Sequence, residues 1–382
     1  MPDIGVTYCG IRLRSPIIVG SANITAEMEN IRQCEENGAG AVVMKSLFEK
    51  EVCRTAPTPR FHLIRRRVDG ERSFTLYSYE QASVWGPERY AAEVAAAKRA
   101  VSIPIIASIN CYTPKGWDTY SRMMEDAGAD ILEVNVSCPH SSVAFSGVEV
   151  EKTMFDVADI VRTAVRIPMV IKVTPQLTSP LNVVYELEGR GANGVTLFNR
   201  FTGLEIDIEK EAPVMHGTYA GHGGPWALNL VLRWISAIRP HVGLNISASG
   251  GVSGPEDVIK CLLVGADTVQ TCTAVIMEGY SVIPKLNDGL LEFMKRKGYS
   301  SIDEFRGKVN RRILTTEEVE RAHLYQAEID SKRCSACGRC KDVCSYFAVE
   351  VRGKVYSITD RCDGCGLCRE VCPRGAIALV AR

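Results

Sequence analysis

The sequence carries no excess charge: over 382 residues, 45 Lys plus Arg face 45 Asp plus Glu, a formal net charge of zero. A nucleic-acid binder needs a basic face to neutralise phosphates, and no domain-wide excess of that kind exists here. Long apolar runs are missing too. The longest, such as Ile103 to Ile109, fall far short of the roughly 20 residues that span a bilayer. No basic stretch followed by an apolar segment opens the chain, so no secretory signal is visible and the cytoplasm is the expected compartment. Low-complexity and heptad segments are absent. No Gly-x-Gly-x-x-Gly follows an expected strand, so direct NAD(P)H binding is not supported.

Cysteine, by contrast, is plentiful, with 15 residues. Where thiols stay reduced, these read as metal ligands, catalytic groups or buried small hydrophobes before they read as disulfides. Seven (Cys9, Cys34, Cys53, Cys111, Cys138, Cys261 and Cys272) are scattered through the first 330 residues, and the other eight crowd between Cys334 and Cys372. This change in density predicts a first domain over 1–298, a charged connection over 299–330 and a cysteine-rich module over 331–382.

From about residue 15 to 275, short apolar runs rich in β-branched residues alternate with amphipathic stretches of helical period. Eight strands are expected, at 17–21, 41–45, 105–109, 131–136, 169–173, 194–198, 244–248 and 268–272. Helices are expected at 27–37, 87–101, 117–127, 155–165 and 255–263, with a helix-rich closing segment at 276–298. Eight strand–helix repeats over this length fit a closed (β/α)8 TIM barrel, with an open doubly wound sheet as the alternative. In a barrel the chemistry sits just after the strand ends, where this sequence places polar and reactive residues almost every time.

The carboxy-terminal module contains C-x2-C-x2-C-x3-C twice: Cys334, Cys337, Cys340 and Cys344, then Cys362, Cys365, Cys368 and Cys372. Three close thiolates plus a more distant fourth, repeated, is the bacterial ferredoxin arrangement for two 4Fe-4S clusters, in which the fourth cysteine of each run serves the other cluster. One cluster then takes Cys334, Cys337, Cys340 and Cys372, and the other Cys362, Cys365, Cys368 and Cys344. Paired zinc sites and disulfides fit this spacing poorly. Proline follows only the last cysteine (Pro373), while Ser345 follows Cys344, a departure that would loosen one fold-back. Ten basic against five acidic residues from 331 onward offset the roughly −4 charge of two oxidised clusters with their thiolates.

In the barrel half, the informative stretch is Glu133-Val134-Asn135-Val136-Ser137-Cys138-Pro139-His140, at the end of the fourth strand. In a loop after a barrel strand, a positioned thiol can give a proton to a reacting carbon or take one from it. Cys138 is the candidate, with His140 as its proton partner; the alternative for any single cysteine is a buried hydrophobe. The stretch resembles the N-[LV]-S-C-P-[NH] active-site motif of dihydroorotate and dihydropyrimidine dehydrogenases, and His140 favours the dihydropyrimidine dehydrogenase branch. The resemblance covers essentially the whole chain. It implies an FMN-binding barrel followed by a two-cluster ferredoxin module, which bacterial forms carry as a subunit working with a partner that holds FAD and the NAD(P)H site. A reductase subunit of that kind or a soluble ferredoxin is the expected electron donor, in a homo- or hetero-oligomer.

Lys45 and Lys172 end the second and fifth strands, where a lysine needs an anion or an electron-rich ring. By resemblance Lys172 sits near the reduced ring and stabilises its charge. Also by resemblance, Ser21, Ala22 and Ser46 flank the ring, while Gly223, Gly224, Ser249, Gly250, Gly251, Cys272 and Thr273 belong to phosphate-gripping loops. Asn135, Ser137 and Asn199 match family substrate contacts. The next family position, a threonine, is Arg200 here, and the segment Leu76-Tyr77-Ser78-Tyr79-Glu80 lacks a family asparagine. Either Arg200 and Tyr77 adapt the pocket to a carboxylate, or Arg200 turns outward to a surface acid such as Glu205. The leading expectation is reduction or formation of a C=C bond in a pyrimidine or related cyclic or carboxylated molecule. The alternatives are a dihydroorotate dehydrogenase and an electron-transfer flavoprotein subunit with no substrate of its own.

Overall fold

The computed structural model describes the chain except for residues 1, 51, 53, 69–70, 81, 137–144, 215 and 323, with the backbone alone at 66–68 and 71–72. It divides into two compact units, Met1–Arg312 and Ile313–Arg382.

In the first unit, eight strands run parallel: β1 (Ile17–Val19), β2 (Ala41–Val43), β3 (Ile105–Asn110), β4 (Ile131–Asn135), β5 (Met169–Val173), β6 (Gly194–Leu197), β7 (Asn245–Ser249) and β8 (Thr268–Thr271). Each pairs with the next and β8 pairs with β1, so the sheet closes. It is a (β/α)8 barrel and not an open sheet. The strands are short runs of β-branched and small residues, buried almost throughout because helices cover their outer faces.

Four of those helices begin on proline, at Pro87, Pro114, Pro180 and Pro255. Proline suits the first helical position because its missing N–H has no partner there anyway. The helix expected from Phe155 starts at Gly147 instead. Ser146 Oγ accepts from the Glu149 N–H at 3.3 Å while the Glu149 carboxylate accepts from the Ser146 N–H at 2.7 Å, a reciprocal cap. Helices Pro180–Gly189 and Leu228–Ile238 supply two crossovers that the sequence pattern did not single out.

An amino-terminal hairpin (Val6–Tyr8 with Ile11–Leu13) turns at Cys9-Gly10, both at positive φ, and buries Val6, Tyr8 and Leu13. The Cys9 N–H donates to Asn245 Oδ1 at 2.8 Å, at the start of β7, so the hairpin seals the end of the barrel opposite the strand carboxyl termini. At the carboxyl end, long loops after β2 and β6 build a small antiparallel sheet, in the order Phe201–Gly203, Ala220–Gly223, Glu71–Ser78, Phe61–Val68. It roofs part of the mouth.

The segment expected as a connection, 299–330, differs at both ends. Ile302 and Phe305 are buried in the barrel core, and Tyr325–Ile329 is a strand of the second unit, paired with Ile377–Ala381. That unit adds a hairpin (Val349–Arg352 with Val355–Ile358) and two one-turn helices, Arg339–Asp342 and Leu367–Glu370. Among the described residues no helix is long and apolar enough to cross a membrane.

Candidate active site and cysteine cages

At the carboxyl ends of the strands lies a cleft with about 1280 Å³ of free space, its open mouth included. Apart from Tyr77, every described residue that the sequence nominated in the barrel lines it: Ser21, Ala22, Lys45, Ser46, Asn135, Lys172, Asn199, Arg200, Gly223, Gly224, Ser249, Gly250, Gly251, Cys272 and Thr273. Ser137, Cys138 and His140 lie outside the described residues.

The floor is a polar network inside the barrel. Lys172 Nζ lies 3.5 Å from the Glu133 carboxylate, both side chains being under a tenth exposed. Glu133 also accepts from Ser108 Oγ at 3.3 Å, Thr196 Oγ1 at 3.2 Å and Gln270 Nε2 at 3.0 Å, while Gln270 Oε1 stands 3.5 Å from Lys172 Nζ. Such a satisfied set lets a carboxylate stay inside a low-dielectric core and fixes the lysine at its edge. Asn199 Nδ2 donates to Asn135 Oδ1 at 3.1 Å, and the Arg200 N–H donates to Asn199 Oδ1 at 2.9 Å, so the two amides hold each other's orientation.

One wall is cationic. Lys45 donates to the Glu80 carbonyl at 2.8 Å, and burial pushes its ammonium below the ordinary lysine value, Glu80 opposing that shift and Arg200 adding to it. Burial, reinforced by Glu80, pushes the Cys272 thiol up to about 11, so it remains protonated at neutral pH. Ser21 Oγ, Ser46 Oγ and Ser108 Oγ form a chain with spacings of 3.0 and 2.7 Å.

Another wall is bare backbone. Gly250 and Gly251 hold φ of +121° and +78°; a Cβ on Gly251 would sit 2.4 Å from the Leu228 nitrogen, and one on Gly224 only 2.1 Å from the Phe74 carbonyl oxygen. Ala227 and Val231, at the start of helix Leu228–Ile238, border the same space. Glycine loops beside a helix amino terminus form the usual cradle for a phosphate.

Arg200 faces the cleft rather than Glu205. Its guanidinium lies against Gly221, where a Cβ would fall 2.7 Å from Cζ, and Nη1 reaches the Ser78 carbonyl at 3.5 Å. Tyr77 does not line the cleft, because strand alternation puts it on the other face of the roof from Leu76 and Ser78. There it stacks on its cross-strand partner His222, with centroids 5.0 Å apart and planes 17° apart.

In the second unit two cavities open, and their cysteines divide across the two motifs. Cys334, Cys337, Cys340 and Cys372 line one; Cys362, Cys365, Cys368 and Cys344 line the other. Each motif makes the same turns, with Ala336/Gly338 and Gly364/Gly366 at positive φ. Backbone N–H groups of Ala336, Ala348, Ala376 and Ala327 donate to the sulfurs of Cys334, Cys344, Cys372 and Cys362 at 3.2–3.4 Å. The turn after Cys344 is not loosened by the missing proline: Phe347, at φ 52°, repeats Gly375 at 53°, and each N–H returns to the preceding cysteine carbonyl. No three ligating side chains among the described residues converge on a single-ion site.

Glu133, Gln270, Glu80 and the aromatic lining Phe198 and Phe201 were not nominated from sequence. The signal for the first two is a charged or amide residue inside a buried strand, Glu133 between Leu132 and Val134 and Gln270 between Val269 and Thr271, which demands internal partners.

A parallel barrel with a polar cleft at its carboxyl mouth, joined to a paired cysteine-cage module, defines an electron-transferring barrel oxidoreductase. Residues 4–294 match the family model "Dihydroorotate dehydrogenase" and residues 355–378 match "4Fe-4S binding domain". The chain belongs to the dihydroorotate dehydrogenase family and is a flavin-dependent oxidoreductase of that family carrying a 4Fe-4S domain. Similar proteins include the NAD-dependent dihydropyrimidine dehydrogenase subunit PreA of Escherichia coli K12, 28% identical over 357 residues, covering 90% of this chain and 85% of that one. The catalytic subunit of dihydroorotate dehydrogenase B (NAD(+)) from Methanothermobacter thermautotrophicus is 30% identical over 305 residues, 79% of this chain and 96% of its own. Its counterpart from Thermoplasma volcanium is 30% identical over 311 residues, 80% and 98% respectively.

Proposed function

We propose that the barrel cleft binds FMN and that the protein reduces, or forms, a C=C bond in a pyrimidine or related small cyclic or carboxylated substrate. The observation that carries this reading is the convergence of all the described family-matched residues on one cleft. The residues fit the group. Gly223, Gly224, Ser249, Gly250, Gly251, Cys272 and Thr273 would grip its phosphate end, where side chains at Gly224 and Gly251 have no room. Ser21, Ala22, Lys45 and Ser46 would border the ring, and Lys172 would set a positive charge against it. When bound, FMN supplies hydride exchange with one carbon of the double bond.

The chain's own residues do the rest. Cys138 gives a proton to the adjacent carbon, or takes one in the oxidative direction, and His140 exchanges it with solvent. Asn135, Ser137, Asn199 and Arg200 hold the substrate. The eight cage cysteines would hold two 4Fe-4S clusters, which supply one-electron transfer from a reductase subunit or a soluble ferredoxin. That the Escherichia coli relative is named as a subunit favours the first donor. Reducing one double bond takes two electrons from that donor and two protons.

The test is anaerobic: reduce the purified holoprotein with dithionite, remove the excess, and add uracil, thymine, orotate or crotonate. Reoxidation of the flavin band by any of them supports the reading. A band that stays bleached with all of them favours the electron-transfer subunit.

A further inference from the structure

We infer that Arg200 is the carboxylate anchor of the substrate site, so that the substrate class is an α,β-unsaturated carboxylate rather than a neutral pyrimidine. The inference rests on the proposed C=C chemistry and concerns which molecule undergoes it. Three observations carry it. First, Arg200 follows Asn199 at the end of β6 and lines the same cleft as the Asn135–Asn199 amide pair and Lys172. Second, among the described residues its guanidinium makes one side-chain hydrogen bond, a long one of 3.5 Å to the Ser78 carbonyl, and no acid side chain is bonded to it. A fork of five donors with one carbonyl acceptor has both faces of its bidentate edge to offer, and a carboxylate matches that geometry. Third, the fold makes room for it: the roof strand carries glycine at 221, directly under the guanidinium, where any side chain would collide.

The surrounding charge favours an anion. Lys45 and Lys172 share the cleft with Arg200, and of the acids near them Glu133 is committed to Lys172 and three neutral donors, which leaves Glu80 as the counter-charge beside Lys45. A neutral uracil ring offers the guanidinium only single carbonyl acceptors and no charge, a weaker match than the two oxygens of a carboxylate.

The experiment compares wild type with Arg200→Met, Arg200→Lys and Gly221→Ala as holoproteins with verified flavin content. Binding of orotate, crotonate and uracil to the oxidised protein is followed by perturbation of the flavin spectrum, and anaerobic reoxidation of the reduced protein gives turnover. We expect carboxylates to bind and react, with roughly 10–100-fold weaker binding in Arg200→Met, the loss of a charge-assisted pair, and partial recovery in Arg200→Lys. Gly221→Ala keeps the charge but displaces the guanidinium, and is expected to weaken carboxylates while leaving flavin bound. Reoxidation by uracil but not by carboxylates, or carboxylate binding unchanged in both Arg200→Met and Gly221→Ala, overturns the inference while leaving the C=C reading intact. Failure of every compound to reoxidise the flavin overturns both.

Discussion

Replacing Lys172 with methionine keeps its length and removes its charge, which strands the Glu133 carboxylate in the barrel core. Two unit charges 3.5 Å apart attract by about 5 kcal/mol at an effective dielectric near 20. Breaking one side of a buried pair costs about 3–5 kcal/mol in proteins. Ser108, Thr196 and Gln270 still donate to Glu133, so the lower half of that range is expected. With an unfolding entropy of about 2.1 cal/mol/K per residue, each kcal/mol moves the melting point of a barrel this size by about 1.5 °C, so Lys172→Met should melt on the order of 5 °C lower. Glu133→Gln alone leaves Lys172 at the wetter edge and should cost less. The double variant, with no buried charge left, should recover most of the loss of Lys172→Met. Calorimetry of the four proteins, each compared with and without added FMN, separates this coupling from lost cofactor binding. Additive melting-point changes, or a Lys172→Met protein as stable as wild type, would refute the buried-pair argument.

Three other outcomes are expected. Gly251→Ala forces a side chain into φ +78° and against the Leu228 backbone; it should cost about 2–4 kcal/mol and release flavin, as measured by melting and by fluorescence of the filtrate. Because Cys272 is pushed up to about 11 when folded, the unfolded chain loses its proton first as pH rises past about 8.5. Stability therefore falls between that value and about 11, and Cys272→Ala should remove about 2–3 kcal/mol of the fall, whereas the lowered Lys45 acts in the opposite direction. If the fourth ligands cross, the double variant Cys334→Ser/Cys372→Ser damages one cage only and retains about half the iron. Loss of nearly all the iron would instead place Cys372 with its own motif.

The barrel was legible because each strand is a local run of apolar, often β-branched residues that ends on a polar one or meets one within two positions; eight of them fit a closed barrel, but the choice over an open sheet rests on the pairing of β8 with β1, which no local pattern displays. The cysteine cages were legible for the same reason: ligand spacing is local, and the repeat itself specifies the exchange of fourth ligands. What escaped depends on partners distant in sequence. The arginine-rich strand Phe61–Val68 gives no sign that its hairpin meets Ala220–Gly223, so the roof was unread, and of the two residues offered as adapting the pocket Arg200 lines the cleft while Tyr77 does not. The first two turns of helix Gly147–Ala164 are mostly polar and exposed, so helical period begins visibly only near Phe155, although Ser146 and Glu149 form a cap that sequence alone displays. Glu133 stood within the most informative motif, yet its role depends on Lys172 and Gln270, contributed by β5 and β8.

The most direct test of the central claim is the anaerobic half-reaction of Cys138→Ala. With flavin and iron contents equal to wild type, the variant's reduced flavin should be reoxidised by the best unsaturated carboxylate at least 100-fold more slowly, the loss expected for removing a general acid. Reoxidation at the wild-type rate would contradict the account, since the proton would then come from elsewhere and Cys138 would have no part in the chemistry.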